Sequence, residues 1–278
     1  MTRSCLIIIL LTLSHYTHAT TEVPGPSVIL DNASCIQCHE QLNQPLIDDW
    51  RASSHAASNP VTDCVSCHGP LHNAIASHAR RNDTCIHCHG GSKGPVSHSY
   101  LNSKHGILMQ LETGDYNWNQ KLENANYRAP SCAYCHMHAG NHQLRLQQTI
   151  QNACHDCHAP RYLSRQHLNG QEMYRIATLK IEEAETLIRQ ARPQYSRDEL
   201  ATTDNLLKQM QQHLRHVKLG IGHLSPDYQW WHGQPALDGD LLRIKGSIGE
   251  LKREKEIGKI QSAESVNDTH SKTTRDHP

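Results

Sequence analysis

The apolar positions divide the chain into three stretches. At the start, Leu6 to Leu13 form one short unbroken apolar run, preceded by Arg3 and followed by the small residues Thr17 and Ala19. That pattern reads as a cleaved export signal over residues 1–19, because the run is too short to span a bilayer. From residue 20 to about 165 the apolar residues are sparse. Segments rich in Gly, Pro, Asn and Ser separate them, which predicts short helices joined by loops. From residue 166 to 260 the pattern becomes periodic. Met173, Ile176, Lys180, Ile181, Ala184, Leu187, Ile188 and Ala191 largely follow the three-to-four spacing of an amphipathic helix, and Pro193 ends it. Ser196 and Glu199 have the spacing of a capping box. Leu200, Thr203, Leu207, Met210, Leu214 and Val217 then share one face of a second helix, with Gly220 and Gly222 expected to stop it. Leu237, Leu241, Ile244, Ile248 and Leu251 make a seam on a third helix, suited to packing within the chain or between subunits. Residues 261–278 are polar and expected to be disordered. The reading is all-α, with no membrane-spanning segment after signal cleavage.

Composition sharpens this picture. Of 278 residues, 37% are hydrophobic and none is Phe, a thin supply for a conventional core. Basic and acidic residues balance at 27 each, which leaves no nucleic-acid footprint. Eleven cysteines are present, and Cys5 lies in the signal. The other ten form five pairs, each followed directly by histidine: Cys35, Cys38, His39; Cys64, Cys67, His68; Cys85, Cys88, His89; Cys132, Cys135, His136; Cys154, Cys157, His158. Two intervening residues let both thiols face one porphyrin edge, and the histidine that follows can reach the iron. This is the c-type haem attachment motif. A lone pair could equally be a zinc half-site or a redox dithiol. Five pairs with no cysteine left over, behind an export signal, point instead to five covalent haems c. Their apolar faces would also make up for the thin core. The motif starts are 29, 21, 47 and 22 residues apart, so there is no strict repeat.

Histidine is abundant. Setting aside the signal, the tail and the five proximal positions leaves fourteen of 23, more than enough for a second imidazole on every iron. That surplus favours bis-histidine, low-potential haems, since methionine ligation raises the potential. The distal candidates by position are His55, His72, His98, His105 and His142. His167, His213, His216, His223 and His232 form a second tier. His87 and His155 sit inside motifs and should point away from their own irons.

These residues carry a resemblance. ARRNDTCIHCHGG followed by YLNSKHGI and APSCAYCHMHAGNH, then CHDCHAPRYL before the long helices and GIGHLSPDYQWWHG before the last one, resembles the hydroxylamine oxidoreductase superfamily of multihaem cytochromes. The resemblance implies an all-α protein with stacked haem pairs and a helical half that often forms trimers. In the family's enzymes the SKHG histidine, here His105, lines an open haem pocket for hydroxylamine or nitrite, and a nearby acid in a GPDH-like segment assists. This chain has Gly94-Pro95-Val96-Ser97-His98 there, without the acid, and five motifs where those enzymes have eight. Tyr228 lies where a tyrosine cross-link to the catalytic haem is a candidate. No Cys-x-x-Cys-Lys motif of pentahaem nitrite reductases occurs.

Two functions follow. The first is a periplasmic pentahaem electron carrier serving redox partners such as other cytochromes or a membrane quinol oxidoreductase. The second is an oxidoreductase acting on hydroxylamine, nitrite or a related small nitrogen compound at one open haem, with His105 as catalytic acid or base.

Overall fold

A computed structural model describes residues 28–73, 75–120, 128–143 and 152–273. The expected signal, Tyr127 and the last five residues lie outside that set.

The described residues are helical, with a single isolated β-bridge between Ile29 and Leu71. In the first half the helices are short: α1 Asn32–Leu42, α2 Gln44–Arg51, α3 Cys64–His68, α4 Ile75–Arg80, α5 Asn82–Cys88, α6 Pro95–Leu101, α7 Lys104–Glu112 and α8 Cys132–His136. A last short helix, α9, covers residues 152–155. Each attachment motif is carried on one of these helices or at its end. Local capping explains where several begin. The Asp31 and Asp63 side chains accept from the backbone N–H groups of Ser34 and Ser66, both at 2.8 Å, and the Ser131 hydroxyl accepts from the Tyr134 N–H at 3.3 Å.

Few apolar side chains are buried in this half. Ile47 is one, and Met109, Tyr116 and Trp118 form a small cluster. Gly106 is required by a close approach, although the neighbour is protein. A Cβ there would lie 2.1 Å from the Tyr100 carbonyl oxygen, so α7 can turn off the end of α6 only with glycine at this position.

The second half is an antiparallel bundle of α10 Pro160–Ala191, α11 Ala201–Gly222 and α13 Gln234–Thr273, with the short α12 Pro226–His232 set against α11 and α13. α10 begins immediately after the fifth motif, well before the periodic stretch visible in the sequence. It ends two residues ahead of Pro193, whose ring and missing N–H forbid further turns. The capping box forms: the Ser196 N–H donates to Glu199 Oε2 at 2.7 Å and the Glu199 N–H donates to Ser196 Oγ at 3.3 Å. Ala177, Ala184 and Ala191 recur every seven residues on the buried face of α10, and small side chains there let the helices approach. At Gly170 a Cβ would lie 2.7 Å from Ile221 Cγ2. Gly220 does not stop α11. It is a buried helical residue pressed against the Gln229 side chain, and the helix ends at Gly222.

Leu237, Leu241, Ile244 and Ile248 are buried within the chain's own core together with Ile181, Ile188, Met210 and Val217. The apolar seam thus closes internally. α13 runs on to Thr273, into the stretch expected to be disordered. Residues 261–264 are exposed there, and Glu254, Lys255, Glu256, Lys259, Gln261, Ala263 and Glu264 favour helix as far as that turn. The two halves meet where α6 packs on α11.

Candidate haem centres

All ten motif cysteines are free thiols, so none is spent on a disulfide. Four of the five motif histidines face a second imidazole. His89 lies opposite His55 with ring centroids 6.1 Å apart, and His68 lies opposite His142 at 6.1 Å. His158 lies opposite His105 at 5.9 Å, and His136 opposite His223 at 6.5 Å. A gap of about 6 Å between centroids is what two imidazoles require when each bonds a shared metal at about 2 Å. The free thiols beside such imidazole pairs fit c-type haem.

The electrostatics agree with ligand roles, because imidazole binds metal only when neutral. Burial, and then the adjacent His89, hold the His55 ring below its ordinary value. Burial and His158 do the same for His105, and burial and His89 for His136. Burial and His136 push His223 down to about 4. His223 is also oriented. Its Nδ1 lies 2.7 Å from the hydroxyl of the buried Ser99 on α6, which leaves Nε2 to face His136.

Sequence proximity does not report the pairing. His55 follows the first motif yet faces the third, and His142 follows the fourth yet faces the second. His223 comes from the far end of α11. Its signal in the sequence was the Gly-x-Gly-His ending of an amphipathic helix. Among the described residues no histidine stands opposite His39 at this spacing. His72 follows Leu71, whose bridge to Ile29, together with the 2.8 Å bond from the Leu30 N–H to the Pro70 carbonyl, docks its loop on the segment entering α1. His87 is in the last turn of α5, and His155 is exposed. The exposed His167 bonds Gln171 at 2.9 Å.

The motifs lie in chain order, each beside the next. Burial lifts the Cys64 thiol to about 11, and Cys35 adds to the rise. Burial raises Cys67, with Cys85 and Cys88 adding to it. The Cys85 and Cys132 thiols hydrogen-bond to one another. Burial pushes Cys135 up to about 12, reinforced by Cys154 and Cys157. One device is used twice to lock neighbours together. The residue three before the first cysteine of motif one, Asn32, accepts from the Cys64 N–H at 3.1 Å. Its counterpart in motif three, Asn82, accepts from the Cys132 N–H at 2.8 Å.

His98 is placed apart from these pairs, in a second cluster around the buried Tyr228. Tyr228 lies 5.7 Å from His98, 5.8 Å from His216 and 4.9 Å from His232 between ring centroids. His213 extends the cluster and bonds the buried Asp240 through Nδ1 at 2.8 Å; Arg243 Nη1 lies 3.4 Å from the same carboxylate. Burial holds His216 and His232 below their ordinary values, helped by His213 in both and by His98 at His232. An unfolded histidine titrates near 6.5, so the unfolded chain gains protons first. The stabilisation is therefore complete above about pH 6.5 and lost as the pH falls through that value towards the lower folded ones. The protection of α12 backbone amides against hydrogen exchange, corrected for the intrinsic rate at each pH, is expected to be lower at pH 5.5 than at pH 7.5. Equal protection would contradict this.

Comparison with known proteins places these features. Residues 47–153 match the family model described as "Seven times multi-haem cytochrome CxxCH". A stretch of 99 residues is 31% identical to a probable nitrite reductase–hydroxylamine oxidoreductase fusion protein of Kuenenia stuttgartiensis, covering 31% of this chain and 12% of that one. The chain thus spans only a small part of that relative's length. A solved structure, the reducing hydroxylamine oxidoreductase-like complex Kustc0457/Kustc0458 of Kuenenia stuttgartiensis, superposes over 82% of this chain and 87% of its own, with a TM-score of 0.54 at 14% identity. That likeness is one of fold. Residues 47–153 are thus similar to multihaem Cys-x-x-Cys-His cytochromes, and the chain shares the fold of the hydroxylamine oxidoreductase-like complex.

Proposed function

We propose that the protein is an exported pentahaem electron carrier in which paired histidines hold each iron. The observation that carries this reading is the set of four imidazole pairs at 5.9–6.5 Å. Haem c, once bound, would supply a one-electron couple, and two histidine ligands would keep its potential low. The chain's residues do the rest. Cys35 and Cys38, Cys64 and Cys67, Cys85 and Cys88, Cys132 and Cys135, and Cys154 and Cys157 give the thioether bonds. His55, His105, His142 and His223 close the coordination opposite His89, His158, His68 and His136. His72, docked beside α1, is the proposed partner of His39. Adjacency of each motif to the next supports stepwise transfer along the chain. Residues 1–19 would direct export to the periplasm, and other cytochromes or a membrane quinol oxidoreductase would be the partners.

The name of the Kuenenia fusion protein favours a second reading, turnover of a small nitrogen compound at an open iron. His105 faces His158, so an open position would fall at His39 if His72 did not fill it. The intact mass of mature protein made with full c-type maturation is expected to exceed the polypeptide by five haems. An excess of four or fewer would remove at least one motif from the proposed set.

A further inference from the structure

We infer that the first turns of α10, at the fifth-motif end of the chain of motifs, are the port through which electrons pass to or from an acidic redox protein. This rests on the electron-carrier reading. In the order of adjacent motifs, one and five are the ends, and an end is where transfer to a partner costs the shortest path. At the fifth motif the path to the surface is short. The Tyr162 ring stacks on His158, which lies in the bend just before α10, with centroids 4.9 Å apart and planes 26° from parallel. Tyr162 is nonetheless 43% exposed, and Cys157 is exposed as well. A side chain that touches the iron's proposed ligand on one side and water on the other joins the site to whatever docks there.

The charge around Tyr162 has one sign. Arg161 and Arg165 flank it and line the same shallow concavity with Ala159. Both are exposed, and neither has a carboxylate partner among the described residues. The acid that precedes them in the sequence, Asp156, is already engaged by His138 Nε2 at 2.8 Å and by the Tyr134 hydroxyl at 2.9 Å. The next along α10, Glu172, is bonded by Arg175. Arg161, in the first turn of α10, also opposes the helix dipole. Local choices that cost stability mark functional surface. Unscreened positive charge around an exposed aromatic ring fits a partner whose own redox centre is ringed by carboxylates, and such complementarity acts mainly on the rate of encounter.

The test is stopped-flow oxidation of the fully reduced holoprotein by ferricyanide, an anion, and by tris(phenanthroline)cobalt(III), a cation. The comparison is between the wild type and the double variant Arg161→Gln/Arg165→Gln. At low ionic strength the ferricyanide rate is expected to fall about tenfold in the variant, within the usual range of electrostatic steering. Its salt dependence should flatten, the cobalt rate should not fall, and every haem potential should stay where it was. An unchanged ferricyanide rate would place the port elsewhere. A shifted spectrum or potential for one haem would show that the arginines hold that haem's propionates, which also overturns the port. If neither oxidant reoxidised the wild type, the electron-carrier reading itself would fall.

Discussion

Replacing His223 with leucine is expected to convert one low-spin haem to high-spin and to raise its potential, leaving the other four unchanged. Burial and the adjacent His136 push His223 down to about 4, so it is held neutral and ready to bind metal. Its ring faces His136, and Ser99 Oγ fixes the opposite edge at 2.7 Å. Leucine keeps the volume and removes the donor, so the ferric state loses an imidazole. Ser99→Ala is expected to give a weaker version of the same effect, since partners of a ligand are commonly worth about 10–100-fold in metal affinity. The checks are near-infrared absorption for the ligand pair and redox titration for the potential. Five unchanged low-spin haems in His223→Leu would remove His223 from the ligand set.

His105→Ala is the second variant with a large effect, and it separates a ligand role for His105 from a catalytic one. If His105 closes the coordination opposite His158, the variant gains one high-spin haem and no activity is lost, because none was present. If His105 is an acid–base group in an open pocket, the spin count does not change, and turnover of hydroxylamine or nitrite falls by about 10²–10⁴-fold. The 5.9 Å separation of the two rings predicts the first result.

Much of the fold was legible in the chain itself. The helix faces at Ile181, Ile188, Met210, Val217 and Ile244 follow from periodicity, and the Ser196–Glu199 box forms as its spacing requires. The first turns of α10 were missed because Arg161, Arg165 and His167 interrupt the apolar rhythm before Met173. The attachment motifs were legible because their chemistry demands fixed spacing. His55, His105 and His142 were legible as candidates, but which motif histidine each faces, and the place of His223, were not, for a physical reason. The facing of two imidazoles is a tertiary contact, and His136 meets His223 only when α6 docks on α11 and Ser99 turns the ring. Nearness along the chain therefore favoured His98, which the fold places beside Tyr228 and His232 instead. The seam on α13 was read correctly as a packing surface. Whether it closed inside the chain or between copies depended on the length and angle of α10 and α11, which a heptad pattern does not encode.

The central claim is that the fold surrounds each iron with two histidines for electron transfer. Electron paramagnetic resonance of the oxidised, fully loaded protein tests it most directly, since it counts high-spin ferric haem against low-spin. The account predicts low-spin signals only, and no steady turnover when hydroxylamine or nitrite is added. A stoichiometric high-spin signal together with sustained turnover of either compound would contradict it.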